Sequence, residues 1–421
     1  MKVLIIGGGF TGLAAATHLV DRDVEVEVWE ASDRLGGLAK GFEVDDWDWG
    51  LEKYYHHVFA NDRKIIDLSC KVGWPAFFNR PVTNVWADGR EEQLDSPISL
   101  LSYSGLNFWQ RMRMGAGLAS LKMIFSKELG QELERYKVSE VLPLLIGRKS
   151  YQKVWEPLLI AKFGKYADEV NMAWFWARVV KRTSKLGYFE GGFGKLAEKI
   201  GGYIESKGGA VRLNEKAKRV EKSNGRLVVN GEEFDRVLLT VPSGLVNNIV
   251  GEKVIDLPEI NYLWGQTLVL EMEKSFIESY WLNILERNCP FLVAVEHTKF
   301  IDKEKYGDSH VLYLGNYLEE DDERLDMKKE ELLEMFLPYL KKINPSFENN
   351  WIKRSWKFQS PYAQPVFPVN YSEEILSLKT KIDGLYMANM SQVYPWDRGT
   401  NFAVDIGERA AKLILKDKDD L

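Results

Sequence analysis

Four short stretches hold residue types whose spacing could do chemistry. GGGFTG at 7–12 sets three glycines in a Gly-x-Gly-x-x-Gly register, with Phe10 and Thr11 between them. LEKYYHHVFAND at 51–62 places His56 and His57 side by side between two tyrosines and a phenylalanine. Lys162-Phe163-Gly164 precedes a segment in which Trp174, Arg178 and Arg182 recur every four residues, and YPWDRGTN at 394–401 sets Arg398 just before a helical run.

The glycine stretch suits a dinucleotide. Gly7 allows a tight turn, Gly9 lets backbone approach a pyrophosphate, and Gly12 lets helix and strand pack closely. The phosphates then sit on the helix N-terminus. Glu30 falls where a carboxylate binds both ribose hydroxyls. After it, Ala31-Ser32-Asp33-Arg34-Leu35-Gly36-Gly37 offers a second bare backbone beside a guanidinium, an element that nicotinamide-only domains do not require.

His57 suits a hydrogen-bond donor or proton carrier titrating near neutrality; alternatively Tyr54, Tyr55 and His56 pack a chain reversal. A metal is not expected, because adjacent residues of an extended chain point to opposite sides and no second ligand cluster accompanies them. Trp174, Arg178 and Arg182 share a helical face by their spacing and could receive an anionic, planar-ended ligand; the other reading is a solvated face. Arg398, with backbone amides at a helix N-terminus, suits a developing negative charge.

These stretches need elements to hold them. The apolar run 2–6, the helical run 13–20 and the strand 24–29 predict strand, turn, helix, strand. Asn224-Gly225 and Asn230-Gly231 predict tight turns in a β-meander, followed by a buried strand over 236–241. A short strand, a loop and a helix beginning near 400–402 end the chain. The stretch 74–184 reads as mostly helical, and 246–364 as strands around 268–271, 292–295, 311–314 and 352–356.

GGGFTGLAAA followed by WEASDRLGG resembles the FAD-binding N-terminus of the amine oxidase superfamily, which also holds phytoene desaturases, protoporphyrinogen oxidases and UDP-galactopyranose mutases. GYFEGGFGKLAEKI and the C-terminal GLYMANMSQVYPWDRGTNFAVDIGERAAKLI are similar to further segments of it. The resemblance implies an α/β fold: a Rossmann-like FAD-binding domain (1–73, 185–245 and 365–421), with a parallel sheet and β-meander, plus a discontinuous mixed α+β substrate domain (74–184 and 246–364). It implies noncovalent FAD, held by Gly7, Gly9, Phe10, Thr11, Gly12, Glu30, Ala31, Arg34, Gly36, Gly37, Ala217, Asn389, Arg398, Asn401 and Phe402. Ala217 stands where the family usually has valine, and Asn389-Met390 where many members have Gly-Asp or Gly-Glu. His57-Val58-Phe59 is similar to a mutase triplet, with 51–56 additional. Lys162 resembles either a mutase residue or the lysine that amine oxidases place beside the flavin, and Arg178 and Arg182 resemble mutase arginines that meet nucleotide-sugar phosphates. The leading expectation is an FAD-dependent oxidoreductase that removes hydride from a small or lipidic substrate. The alternatives are a redox-neutral mutase acting on a nucleotide sugar and a non-catalytic flavin-binding partner protein.

Composition narrows the field. With 421 residues, 45% hydrophobic and 12% aromatic, the chain is expected to fold into two domains or one large composite core. A net charge of −6 gives no basic footprint for nucleic acid. Two distant cysteines, Cys70 and Cys289, fit a reduced, cytoplasmic protein. No run of eighteen apolar residues predicts a spanning helix, while the segment 97–125, with Arg111, Arg113 and Lys122, leaves a peripheral membrane contact open. The terminal KDKDDL reads as a solvated tail.

Overall fold

The computed structural model describes residues 1–124, 126–251 and 255–419. The strand Lys2–Ile6 is buried from Val3 onward, as its unbroken apolar run requires of a central parallel strand. It pairs in parallel with Glu25–Trp29 on one side and Arg236–Leu239 on the other. Ala210–Arg212 and Leu385–Met387 extend this sheet to five parallel strands. The helices Phe10–Val20 and Thr400–Asp419 pack against each other. They approach so closely that a Cβ on Gly407 would lie 2.2 Å from the Thr11 carbonyl oxygen.

The three-stranded meander Val220–Ser223, Arg226–Val229 and Glu232–Phe234 turns at the two expected Asn-Gly pairs. All four turn residues have positive φ, the geometry of hairpin turns matched to strand twist.

A seven-stranded sheet forms the second layer. Its order is Ile352–Pro365, Tyr262–Met272, His310–Leu318, Val293–Glu296, Trp281–Ile284, Thr83–Ala87 and Arg90–Gln93. The stretch 74–184 is mostly helical, as expected, but the last two strands and the short strand Phe77–Asn79 stand at its start, where no strand was expected. The reason is local: TNVWA carries strand-favouring side chains, and Asp88-Gly89, both at positive φ, supplies a hairpin turn. Helices do fill the rest of that stretch, including Pro97–Ser102, Phe108–Lys122, Val138–Ile146, Glu156–Phe163 and Met172–Lys181.

Candidate active site

The glycine turn is built as a cradle. A Cβ on Gly12 would lie 2.1 Å from the Gly7 carbonyl oxygen, so this glycine is required for helix and strand to pack. Over Gly9 a Cβ would meet nothing nearer than the Gly37 Cα at 3.7 Å, so protein leaves space there. Gly9 and Gly36 face each other as a parallel bridge, which brings the two bare backbones together. The helix Phe10–Val20 has no side-chain cap and no acidic residue in its first turn. Its leading N–H groups therefore stay available for an anion.

Around this cradle, Glu30 accepts hydrogen bonds from the Gly8 amide at 2.8 Å and the Ser32 amide at 2.9 Å. Its carboxylate is thus held at the end of the second strand with lone pairs to spare. Ala31 is exposed beside it and Ala217 is buried. Phe10 and Thr11 are buried. Arg34 pairs with Glu43, Nη1 to Oε1 at 2.8 Å, so its guanidinium is already engaged.

At the C-terminal side, Asn389 is buried, and its amide donates to the Val241 carbonyl and the Ser243 hydroxyl. Its oxygen accepts from the Ser391 amide at 3.1 Å. This residue ties the loop after Leu385–Met387 to the turn that leads from the strand Arg236–Leu239 into the helix Ser243–Val250. Asn401 accepts from the backbone amides of Lys64 and Ile65, capping the helix Arg63–Lys71 from across the fold. Phe402 stacks on Trp396, with centroids 5.7 Å apart and rings within 8° of parallel.

The two histidines diverge, as neighbours on an extended segment must. His56 packs on Phe193, whose ring meets Phe10 of the glycine-turn helix, and its Nδ1 lies 2.6 Å from the Tyr54 carbonyl oxygen. His57 packs edge-on against Trp281 and lies within reach of the Tyr280 hydroxyl at 3.3 Å. Burial, then the charge of Arg182, pulls the His57 imidazole down to about 3. The expectation of a group titrating near neutrality is therefore corrected: crowding by aromatic rings keeps this imidazole neutral.

The second constellation is a ladder of cations and aromatic rings. Arg178 sits 4.8 Å from the Trp174 ring, and Lys162 lies between that ring, at 5.8 Å, and Tyr317, at 4.4 Å. Arg398 covers the Tyr317 ring at 4.9 Å and donates to Gln364 at 2.8 Å. Asp397 answers these charges, paired to Arg178 and accepting from the Trp174 indole at 3.0 Å. Burial pushes the Asp397 carboxyl up, but Arg178 and Lys162 outweigh it and hold the group below its ordinary range.

Arg182 corrects a second expectation. The helix ends at Lys181, and Arg182 has extended backbone with φ −70° and ψ 132°, so it does not share a helical face with Trp174 and Arg178. It nonetheless remains within the field of Arg178, which, before burial, lowers its guanidinium to about 9. Among the described residues, Lys162, Arg182 and Arg398 form no salt bridge. Burial first, then Arg178, pushes the Lys162 ammonium well below the usual lysine range. Four basic groups thus face one carboxylate, an arrangement that can bind an anion.

Sequence reading missed Tyr317, Gln364, Tyr280, Trp281 and Glu52. The first four lie on or beside strands whose alternating pattern looks the same whether a side chain faces a core or a cleft. Glu52 is buried, accepts from the Tyr188 hydroxyl and the Phe193 amide, and is raised to about 7 by burial. Its signal was the acid that leads the Glu-Lys-Tyr-Tyr-His-His stretch.

A parallel sheet, an uncapped glycine turn and a ribose-range carboxylate define a dinucleotide-binding enzyme fold. The sequence pattern of the flavin containing amine oxidoreductase family matches residues 10–415, and the chain belongs to that family. Its cofactor is FAD, and it is a flavin-dependent oxidoreductase. The chain is 23% identical to human amine oxidase [flavin-containing] B over 98% of its own length and 86% of that protein. Its fold is similar to that of a protein from Exiguobacterium sp. 255-15 provisionally assigned as a protoporphyrinogen oxidase, with TM-score 0.75 and 19% identity over 99% of each chain. It is similar too to reduced UDP-galactopyranose mutase, with TM-score 0.75 and 15% identity over 99% of this chain and 95% of that one.

Proposed function

We propose that this flavoenzyme oxidises an anionic substrate, one carrying phosphate or carboxylate, rather than a protonated amine. The observation that carries this reading is the surplus of positive charge in the ladder of Lys162, Arg178 and Arg398, with Arg182 beside it. An ammonium entering that field would be repelled, while an anion would supply the counter-charge the chain lacks.

Bound FAD, when held in the cradle, would accept the hydride. In this reading Gly7, Gly9, Phe10, Thr11 and Gly12 carry its phosphates. Glu30, Ala31, Arg34, Gly36, Gly37 and Ala217 line the adenosine side, and Asn389, Arg398, Asn401 and Phe402 the flavin side. Noncovalent attachment belongs to the same reading, since Cys289 lies on the second sheet's side, next to Glu286 and Lys342. Lys162, Arg178 and Arg182 bind and orient the substrate anion, and His57 serves as a neutral hydrogen-bonding wall rather than a proton carrier. The flavin domain would comprise 1–73, 185–245 and 365–421, and the substrate domain 74–184 and 246–364. The split is supported by which segments supply the two sheets.

A redox-neutral rearrangement of a nucleotide sugar is the second reading, and the same cationic ladder favours it. Anaerobic flavin spectroscopy separates the possibilities. An anionic substrate should perturb the oxidised flavin, and true oxidation should bleach it, whereas a mutase would need flavin reduced beforehand. Bleaching by a simple alkylamine would sink the anionic-substrate proposal.

A further inference from the structure

We propose that the face built from the helices Pro97–Ser102 and Phe108–Lys122 docks on the surface of an anionic lipid bilayer. The helix Phe108–Lys122 buries Met114, Gly117 and Leu121, which is the side it turns to the protein. Its opposite side is apolar as well. Trp109, Met112, Ala116, Ala119 and Met123 recur at intervals of three and four residues, the spacing of a single helical stripe, and every one is exposed. Trp109 is 78% exposed and Met123 70%. Beside them, Ile98 on the preceding helix is 81% exposed, and the Phe108 ring packs on Trp109 with centroids 5.3 Å apart. Leu144 extends the patch, since Arg113 reaches across to its carbonyl at 2.7 Å.

Charge selects the occupant. From 96 to 127 the sequence holds Arg111, Arg113, Lys122 and Lys127 and no acidic residue, in a chain whose net charge is −6. Arg148 and Lys149, both exposed, follow Gly147, which packs on Arg113. A second copy of the chain would bring two such basic rims together, which disfavours self-pairing. An anionic bilayer offers what the face lacks: phosphate headgroups for the rim and an acyl boundary for tryptophan, phenylalanine and the aliphatic stripe. Contact would be interfacial, because no helix among the described residues is long and apolar enough to cross a membrane. Phe125, part of the segment singled out from sequence, lies outside the described residues. The helix also packs against Met172–Lys181, which carries Trp174 and Arg178, so docking would hold the cationic ladder near the bilayer.

The test is sedimentation of the flavin-loaded protein with vesicles of phosphatidylglycerol and phosphatidylcholine, and with vesicles of phosphatidylcholine alone. The wild type should sediment with the first at low salt, be released by high salt, and stay in solution with the second. Trp109→Ser combined with Met123→Ser should lower partitioning by about tenfold or more, while flavin content and thermal midpoint stay unchanged. Lys122→Gln with Lys127→Gln, both at exposed positions, should weaken binding through charge alone. A wild type that remains in solution with both vesicles overturns the proposal. Light scattering on that sample would then tell a second copy from an acidic protein partner as the occupant. Equal sedimentation of wild type and both double variants overturns it as well.

Discussion

At the scale of single residues, the two glycines of the cradle make opposite predictions. Gly12→Ala drives a methyl into the Gly7 carbonyl oxygen, 2.1 Å away, and should prevent folding of the N-terminal unit. At Gly9 a Cβ meets only ordinary contacts within the protein, so Gly9→Val should fold but lose its flavin, read as colourless protein with native circular dichroism. Flavin retained by a folded Gly9→Val protein would show that the phosphates lie elsewhere. Lys162 carries a pH prediction. Its proton affinity is depressed by burial and by Arg178, so it loses its charge at lower pH than an ordinary lysine. Anion affinity should therefore fall as pH rises, and Lys162→Met should flatten that dependence in a binding titration.

Buried histidines give the fold its own pH response. Burial lowers His297 to about 3, His57 to about 3 and His56 to about 4. Below the unfolded value near 6.5 the unfolded chain binds protons that the folded one refuses, so stability is present above that pH and lost as pH falls. Glu52, raised to about 7, acts the other way: its contribution is present below its unfolded value near 4.5 and lost as pH rises toward 7. Asp62, raised to about 6 by burial, joins Glu52, so three lowered histidines stand against two raised carboxyls, and the larger histidine shifts make acid destabilising on balance. Thermal midpoints should drop on acidification, and His297→Gln should make that limb shallower; a midpoint that climbs steadily from about pH 6.5 to about pH 4 would contradict the assignment.

At the scale of elements, the sequence was most legible where a local rule sufficed. The strand, glycine turn and helix at 2–20, and both Asn-Gly turns of the meander, follow from backbone requirements that few other residues meet. The hairpin at 83–93 was equally signalled by Asp88-Gly89, but the helical period of the residues C-terminal to it dominates the pattern of that stretch. Arg182 shows the limit of spacing: an interval of four residues fits a helix, yet nothing in the interval says that the helix stops at Lys181. Asn389 shows a different limit. Its position suggested a flavin contact, and the spacing did not say that its side chain also ties the loop after Leu385–Met387 to Val241 and Ser243. Asn389→Ala should leave the Ser243 and Val241 groups poorly satisfied and cost on the order of 1–3 kcal/mol in denaturant unfolding.

At the scale of the whole molecule, the cationic ladder could not be read from sequence because it is assembled from distant segments. Lys162 and Trp174 come from neighbouring helices, Tyr317 from the second sheet, and Asp397 with Arg398 from the loop before the last helix. Sequence showed the arginines and the lysine but not Tyr317, and the aromatic rings are what let several cations share one desolvated place. The net charge of −6 gave no basic footprint for nucleic acid, and the fold gathers positive charge at this one place. The central claim is that this place receives an anion next to the flavin. It is tested most directly by titrating the flavin absorbance of the FAD-loaded protein with uridine diphosphate, comparing wild type with Arg182→Gln. The account predicts a saturable spectral shift in the wild type and a severalfold weaker one in the variant, with unaltered flavin content. No shift in the wild type, or an identical shift in both proteins, would contradict it.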